Sequence, residues 1–179
     1  MVKKPYPPGL KKKRGSSLSE YGKELREKQK LKNWYNLRER QFKKYVKEVL
    51  EKRANVEDAS ALLIKKLESR LDNVVFRLGF ALSRSLARQM VNHGHFLVNG
   101  KKVDIPSYMV KKGDKIKVNH KSQQKNLFKE ILPRLKKHNP PLWLKLYPEK
   151  MEAEVVGEPS IEEASPPAEI SSIFEFYSK

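Results

Sequence analysis

Hydrogen-bond donors of the kind that bind phosphate recur through the middle of this 179-residue sequence. Arg84 and Arg88 lie one helical turn apart, so their guanidinium groups could bind successive phosphates from one helix face. The full candidate set combines basic, amide, imidazole and hydroxyl side chains: Arg70, Arg77, Arg84, Arg88, Gln89, Asn92, His93, His95, Lys101, Lys102, Ser107, Tyr108, Lys111 and Lys112. This pattern predicts that the chain binds a polyanion through charge and hydrogen bonds.

A catalytic or metal site is not indicated by the same stretch. The chain has no cysteine, and Asp72 and Asp104 stand as single carboxylates, whereas catalysis needs a nucleophile or base beside an orienting partner. His93 and His95 flank Gly94, but a zinc site would need further ligands that the neighbouring sequence does not supply. We therefore expect no enzyme, no metal and no cofactor.

Two groups of residues also allow a purely structural interpretation. Arg70 and Arg77 are seven residues apart, on one helix face, and could pair with Asp72 or Glu68 inside the fold instead of binding a ligand. Four aromatic residues could stack on bases, but their spacing is more typical of a core: Trp34, Tyr35, Phe42 and Tyr45.

The charge balance supports a polyanionic partner. Lys and Arg total 39 against 21 Asp and Glu, which gives a formal net charge of +18. Such an excess destabilises a compact chain unless a polyanion neutralises it. The excess ends near Lys150, since residues 151–179 carry seven acidic side chains and one basic. No apolar run approaches the roughly 20 residues of a membrane span, and no secretory signal is visible, so we expect no membrane contact and a cytoplasmic or organelle-matrix location.

Local signals predict the elements that position these donors. An apolar stripe of helical period over residues 63–78 predicts one helix that ends at Gly79, and Ser83 can cap the next helix. Asn99 and Gly100 predict a two-residue hairpin turn between strands, and Lys115–Val118 alternates as a strand with Ile116 and Val118 buried. The donors would then lie on two helices and a hairpin.

Further elements are predicted on both sides of this region. The spacing of Ser17 and Glu20 fits a capping box before a helix that runs to about Lys32. The remaining predicted elements are a helix around residues 42–50, a short helix at 127–135, a strand at 152–157, a flexible linker at 158–169 and a terminal strand at 174–177 that docks back on the fold.

The residues carry a resemblance to a known family. The runs RLDNVVFRLGFA at 70–81 and ARQMVNHGHFLVNGKKVDIPSYMVKKGD at 87–114 resemble the RNA-binding module of the family of small-subunit ribosomal protein four. The resemblance extends upstream and downstream, to PYPPG at 5–9, LSEYGKELREKQKLKNWY at 18–35, RQFKKYV at 40–46 and FEFYSK at 174–179. It implies an α+β fold, with a helical domain beside a module of helices packed on a small, mostly antiparallel sheet.

The resemblance also implies a domain organisation and partners. We expect a basic extended arm at 1–16, a helical domain at 17–68, the RNA-binding module at 69–150, and an acidic linker with the docking strand at 151–179. The implied function is a structural, early-assembling constituent of the small ribosomal subunit that binds a multi-helix junction in the five-prime domain of its ribosomal RNA. The arm residues Lys11, Lys12, Lys13 and Arg14 would line the mRNA entry path, and small-subunit protein five would be a neighbour.

Departures from the family pattern qualify these expectations. Family members commonly carry a further N-terminal segment, often with zinc-binding cysteines, so we expect neither zinc nor the contacts of that segment here. Leu86 stands where the family usually has Glu, which removes the capping box after Ser83.

Other functions remain possible for the module. The same module occurs in free RNA chaperones or stress factors, which is the main alternative, and in RNA-modifying enzymes, which attach it to a larger catalytic domain.

Overall fold

The computed structural model describes residues 18–52 and 58–178 and confirms the expected α+β class. Within these residues the helices are α1 Glu20–Trp34, α2 Glu39–Lys52, α3 Ala59–Glu68, α4 Leu71–Arg77, α5 Arg84–Asn92, α6 His120–Gln123, α7 Asn126–Leu135, α8 Ile161–Ala164 and α9 Ile170–Ser178. The strands are β1 Phe96–Val98, β2 Lys101–Lys102, β3 Lys115–Val118, β4 Leu144–Tyr147 and β5 Glu152–Val155, with a 3₁₀ turn at Pro148–Lys150.

One core is built from α1, α2, α3, α8 and α9, which we call the helical half. The expected second helix is confirmed, since Phe42, Val46 and Val49 of α2 are fully buried in this core. The first helix begins three residues after the predicted cap. Ser19 accepts a hydrogen bond from the Gly22 amide, and Ser17 lies outside the described residues.

The predicted terminal strand at 174–177 is wrong, because this segment belongs to the helix α9. Ile170, Ile173 and Phe174 recur at helical spacing and are buried in the helical half, which outweighs the short alternation in the sequence. The segment does dock back on the fold. The ring of Tyr21 on α1 lies 5.4 Å from the ring of Phe176, and Tyr177 donates a 2.7 Å hydrogen bond to Glu39.

The second core lies between α4, α5 and α7 and an antiparallel sheet of strand order β2-β1-β3-β5-β4; with α6 these elements form the sheet half. Ile116 and Val118 are fully buried as predicted, while Lys115 and Lys117 project from the opposite face. The helix expected at 127–135 is confirmed as α7, and the strand expected at 152–157 as β5. β5 lies between β3 and β4, so residues past 150 complete this sheet.

The single helix expected over residues 63–78 is wrong, since the chain breaks into α3 and α4 at Ser69 and Arg70. Arg70 has extended backbone angles, φ −68° and ψ 136°. The Leu71 amide donates to the Tyr108 carbonyl at 2.8 Å, and the Val110 amide donates to the Ser69 carbonyl at 2.9 Å. These tertiary hydrogen bonds replace helical ones, so the apolar stripe before the break enters the helical half and the stripe after it enters the sheet half.

Candidate nucleic-acid interface

The predicted hairpin and the turn at 111–114 together present four lysines on the sheet half. Asn99 and Gly100 have φ of 51° and 79°, as a type I′ turn requires, and the strand that follows carries Lys101 and Lys102. We define the lysine cluster as Lys101, Lys102, Lys111 and Lys112, all of which are exposed. Among the described residues, no carboxylate lies within ion-pair distance of any of them. The cluster is therefore available to a ligand.

Asn99 holds the two parts of the lysine cluster together. Its amide nitrogen donates to Asp114 at 2.8 Å, and its amide oxygen accepts from the Lys115 backbone at 2.9 Å. The other carboxylate oxygen of Asp114 accepts from the Lys111 amide at 2.8 Å. The hairpin and the turn at 111–114 thus share one hydrogen-bonded frame, which fixes the spacing of the lysines.

The turn after α5 separates two histidines with different surroundings. Gly94 has φ of 68°, which favours glycine, and its missing side chain leaves room for the end of the Lys102 side chain. His93 is exposed, as Gln89 and Asn92 are on α5. His95 is only 7% exposed, and its Nδ1 lies 2.9 Å from the Ser122 hydroxyl.

The surroundings of His95 favour the neutral form of its imidazole. Burial lowers the pKa of His95, and the positive charges of Lys125, His93 and Lys102 lower it further. His95 therefore packs inside the sheet half, while Lys125, which was not among the predicted site residues, adds an exposed positive charge nearby. Lys125 directly precedes α7 and belongs to no sequence motif, so only its positive charge could have marked it as a candidate site residue.

Asp72 binds two of the four candidate arginines. Arg70 is only 2% exposed and donates to both Asp72 carboxylate oxygens, at 3.0 and 2.8 Å. Burial alone would lower the pKa of Arg70, but the hydrogen bonds and charge of Asp72 outweigh burial and raise it. Arg88 donates to the same carboxylate and to the Asn36 carbonyl in the turn between α1 and α2. Both guanidinium groups therefore hold the fold together.

Glu68 forms the second acidic centre of this network. Arg77 donates to both of its carboxylate oxygens at 2.9 and 2.7 Å, and Tyr35 and Asn73 each donate at 2.7 Å. Burial raises the pKa of Tyr35, and the adjacent Glu68 charge raises it further, so the phenol stays a donor. The alternative pairing of Arg70 with Asp72 and of Arg77 with Glu68 is the arrangement observed.

Arg84 differs from the other three because no described carboxylate pairs with it. Its Nε donates to the Asn73 side chain at 2.9 Å, and its Nη2 is buried without a hydrogen-bond acceptor among the described residues. The guanidinium carbon lies 4.8, 5.2 and 4.5 Å from the ring centroids of Trp34, Tyr35 and Phe76. Burial lowers the pKa of Arg84, and the nearby charge of Arg77 lowers it further.

The other candidate residues fall in three places. Ser107 is half-buried and Tyr108 is 36% exposed, in the segment that pairs with the break between α3 and α4. Of the four aromatic residues with two interpretations, Tyr35 and Phe42 are buried, Tyr45 is half-buried and Trp34 is 39% exposed. The basic arm residues lie outside the described residues: Lys11, Lys12, Lys13 and Arg14.

Two other kinds of feature are absent from the described ranges. No group of three or more His, Asp or Glu side chains there is arranged to hold a metal ion. No helix in residues 18–52 or 58–178 is long and apolar enough to cross a membrane.

Comparisons with known proteins agree with this architecture. Residues 69–116 match the S4 domain family, and residues 1–68 match the ribosomal protein S4/S9 N-terminal domain family. The small ribosomal subunit protein uS4 of Halothermothrix orenii is 48% identical over 174 residues, which cover 97% of this chain and 82% of that protein. The uS4 proteins of Thermodesulfovibrio yellowstonii and Caldicellulosiruptor saccharolyticus are 44% and 47% identical, over 97% and 99% of this chain and 82% and 84% of their own lengths.

These relatives extend over nearly the whole chain, well beyond the shared module. Identity of this level across both cores cannot arise from the S4 domain alone, which ends at residue 116. The same relatives confirm the expectation of a non-enzymatic protein, because the matched family consists of ribosomal structural proteins. The chain therefore belongs to the uS4 family of small ribosomal subunit proteins.

Proposed function

We propose that this chain, as a uS4-family constituent of the small ribosomal subunit, binds a multi-helix junction in the five-prime domain of the ribosomal RNA. The observation that carries this proposal is the lysine cluster, four exposed positive charges without a carboxylate partner among the described residues. Each lysine that reaches a phosphate releases condensed counterions, which supplies affinity without reading any base.

Rigidity of the cluster favours a folded target over a plain duplex. The hydrogen bonds of Asn99 and Asp114 fix the hairpin against the turn at 111–114, so the lysines keep their spacing. Lysines on a backbone held in this way can reach phosphates whose positions are also fixed, as they are where several RNA helices meet. Exposed Gln89, Asn92 and His93 lie beside Gly94 and add donors for phosphate or ribose hydroxyls.

The arginines have a different part in this proposal. Because Arg70, Arg77 and Arg88 each bind a buried carboxylate, we assign them to fixing α4 and α5 beneath the RNA-binding surface. We also propose that Lys11, Lys12, Lys13 and Arg14 contact mRNA at its entry path and that small-subunit protein five is a neighbour. Both of these proposals rest on the family resemblance of the sequence.

The test is binding to a folded fragment of the five-prime domain, measured against duplex RNA and large-subunit RNA of equal length across a salt series. We expect a preference for the folded fragment that persists at physiological salt. Equal and steeply salt-dependent binding to all three RNAs would contradict the proposal. Tight binding to large-subunit RNA or tRNA would instead favour the alternative of a free RNA chaperone.

A further inference from the structure

Trp34 is an exposed aromatic residue at the end of α1. It is 39% exposed, whereas its neighbour Tyr35 is 3% exposed and the other tryptophan, Trp143, is 4% exposed. An exposed indole loses hydrophobic stabilisation unless something covers it. The Arg84 guanidinium lies against the ring within the fold, and the remaining 39% of the indole surface is accessible to a ligand.

The indole lines an open, shallow cavity of about 400 Å³ on the surface between the helical half and the sheet half. Polar and apolar residues both line it: Asn33, Trp34, Asn36, Phe76, Leu82, Ser83, Arg84 and Ser85. A shallow site of this kind can cover one face of a planar group, with apolar residues beneath the ring and polar residues at its edge. The Asn36 amide already donates to the Ser85 hydroxyl at 2.6 Å, which holds the two walls at a fixed separation.

The charge beside this cavity is positive and incompletely balanced. Four arginines, Arg70, Arg77, Arg84 and Arg88, share the two buried carboxylates of Glu68 and Asp72, and Arg84 pairs with neither. The Arg84 guanidinium lies 4.8 Å from the Trp34 ring centroid, and this cation–π contact holds the indole in place. An anionic ligand would offset the excess positive charge of the arginines, and a ring of that ligand stacked on Trp34 would cover the indole.

From this geometry we infer that the cavity binds one unpaired nucleotide of RNA, whose base stacks on Trp34 and whose phosphate lies in the positive field of Arg84. A nucleotide is the ligand that combines a planar base with a negative charge, and single-stranded RNA is recognised by such stacking. The inference rests on the proposed function and adds to it a specific feature of the RNA. The bound RNA then has one nucleotide turned out of an RNA helix, and that nucleotide lies at the boundary between the helical half and the sheet half of the protein.

Tryptophan fluorescence provides a direct test. The full chain is titrated with single-stranded oligoadenylate and with the folded five-prime-domain fragment, and emission is compared with that of Trp34→Phe. Since Trp143 is buried, we expect both RNAs to quench the emission of the unaltered chain and to leave Trp34→Phe unquenched. If neither RNA quenches the emission, the inference is overturned.

Affinity measurements separate stacking from charge. We expect Trp34→Ala to bind the folded fragment roughly 5- to 100-fold more weakly with an unchanged salt slope, and Trp34→Phe to retain most of the affinity. Leu127→Ala is the control, because Leu127 is an apolar residue of nearly the same exposure, 38%, that does not line the cavity, and we expect its affinity to be unchanged. Equal affinity of Trp34→Ala and the unaltered chain would overturn the inference.

The two proposals can fail separately. If the unaltered chain shows no preference for the folded fragment, the proposed function fails, while quenching of Trp34 by oligoadenylate would still establish the nucleotide site. If Trp34→Ala weakens binding to another small-subunit protein and leaves RNA affinity intact, the cavity is a protein contact and the nucleotide site is overturned.

Discussion

Arg88 donates two hydrogen bonds to a single carboxylate oxygen of Asp72, from Nε and Nη2 at 3.0 Å each. Its Nη1 donates to the Asn36 carbonyl, so one side chain on α5 ties the sheet half to the helical half. The same carboxylate binds buried Arg70, which also donates to the Tyr45 hydroxyl at 2.7 Å. The junction between the two halves is therefore an ionic network whose members depend on one another.

Asp72→Ala is expected to destabilise the chain strongly. It removes the only carboxylate that Arg70 and Arg88 bind among the described residues, and Arg70 is too buried to be solvated by water. Removal of one member of a buried ion pair costs about 3–5 kcal/mol. Urea unfolding followed by circular dichroism should show a lower midpoint with a comparable slope.

The control is an ion pair at the surface. Lys136 lies 3.4 Å from Glu149, and both side chains are more than half exposed. Exposed pairs contribute about 0–1 kcal/mol, so Lys136→Ala should unfold close to the unaltered chain. If Asp72→Ala were no less stable than Lys136→Ala, the network would not hold the two halves together.

Local sequence signals predicted most of the secondary structure because they act within a few residues. Ser83 caps α5 by accepting from the Leu86 amide at 3.2 Å, and Asn99 and Gly100 adopt the positive φ angles that their types allow. The break at Ser69 was missed because its cause is the segment at 106–110, which is distant in sequence. The apolar period itself continues through the break.

The candidate site was predicted less well than the fold, for the same reason. In the sequence, Arg84 and the residues of the lysine cluster are all basic residues near predicted turns, and such residues are usually exposed. The structure separates them, because the lysines have no described carboxylate nearby, whereas Arg84 lies against three aromatic rings. The helical half supplies two of those rings, from Trp34 and Tyr35, and no local pattern reveals a contact of that kind.

Removing charge from the lysine cluster should change the salt dependence of RNA binding. Lys102→Gln combined with Lys112→Gln should make the log–log salt slope less negative by about 1 for each phosphate that the variant no longer neutralises. Both side chains are exposed, so the free energy of unfolding should change by no more than about 0.5 kcal/mol. Filter binding or fluorescence anisotropy across a salt series measures the slope.

Lys129→Gln combined with Lys136→Gln serves as the matched control, since it removes two exposed charges outside the cluster. Its salt slope for the folded fragment should match that of the unaltered chain. Equal slopes for the control and the lysine-cluster variant would show that the cluster does not contact phosphate.

Asn99→Ala should weaken RNA binding without any change of charge. The variant lacks two side-chain hydrogen bonds and places an alanine at φ 51°, which together should cost about 1–3 kcal/mol of stability. Because the lysine spacing is then less rigid, affinity should fall more for the folded fragment than for unstructured RNA. Competition binding between the two RNAs measures this ratio.

Asn126→Ala is the corresponding control, an exposed asparagine on α7 for which no side-chain hydrogen bond occurs within the described residues. Its preference for the folded fragment should be unaltered. An Asn99→Ala variant with the same preference would mean that the hydrogen-bonded frame is not needed for selectivity.

His95 should make the stability of the chain depend on pH. Burial, aided by the charge of Lys125, lowers the pKa of His95 in the folded chain below its ordinary value of 6.5. Below that value the unfolded chain binds a proton that the folded chain does not, so the free energy of unfolding decreases as the pH falls from 7 toward 5. His95→Gln, which keeps a polar group near Ser122, should show a smaller decrease over this range in urea unfolding at each pH. His120→Gln removes an exposed imidazole that is not among the causes of the His95 shift and should keep the larger decrease, and equal pH profiles for His95→Gln and the unaltered chain would contradict the prediction.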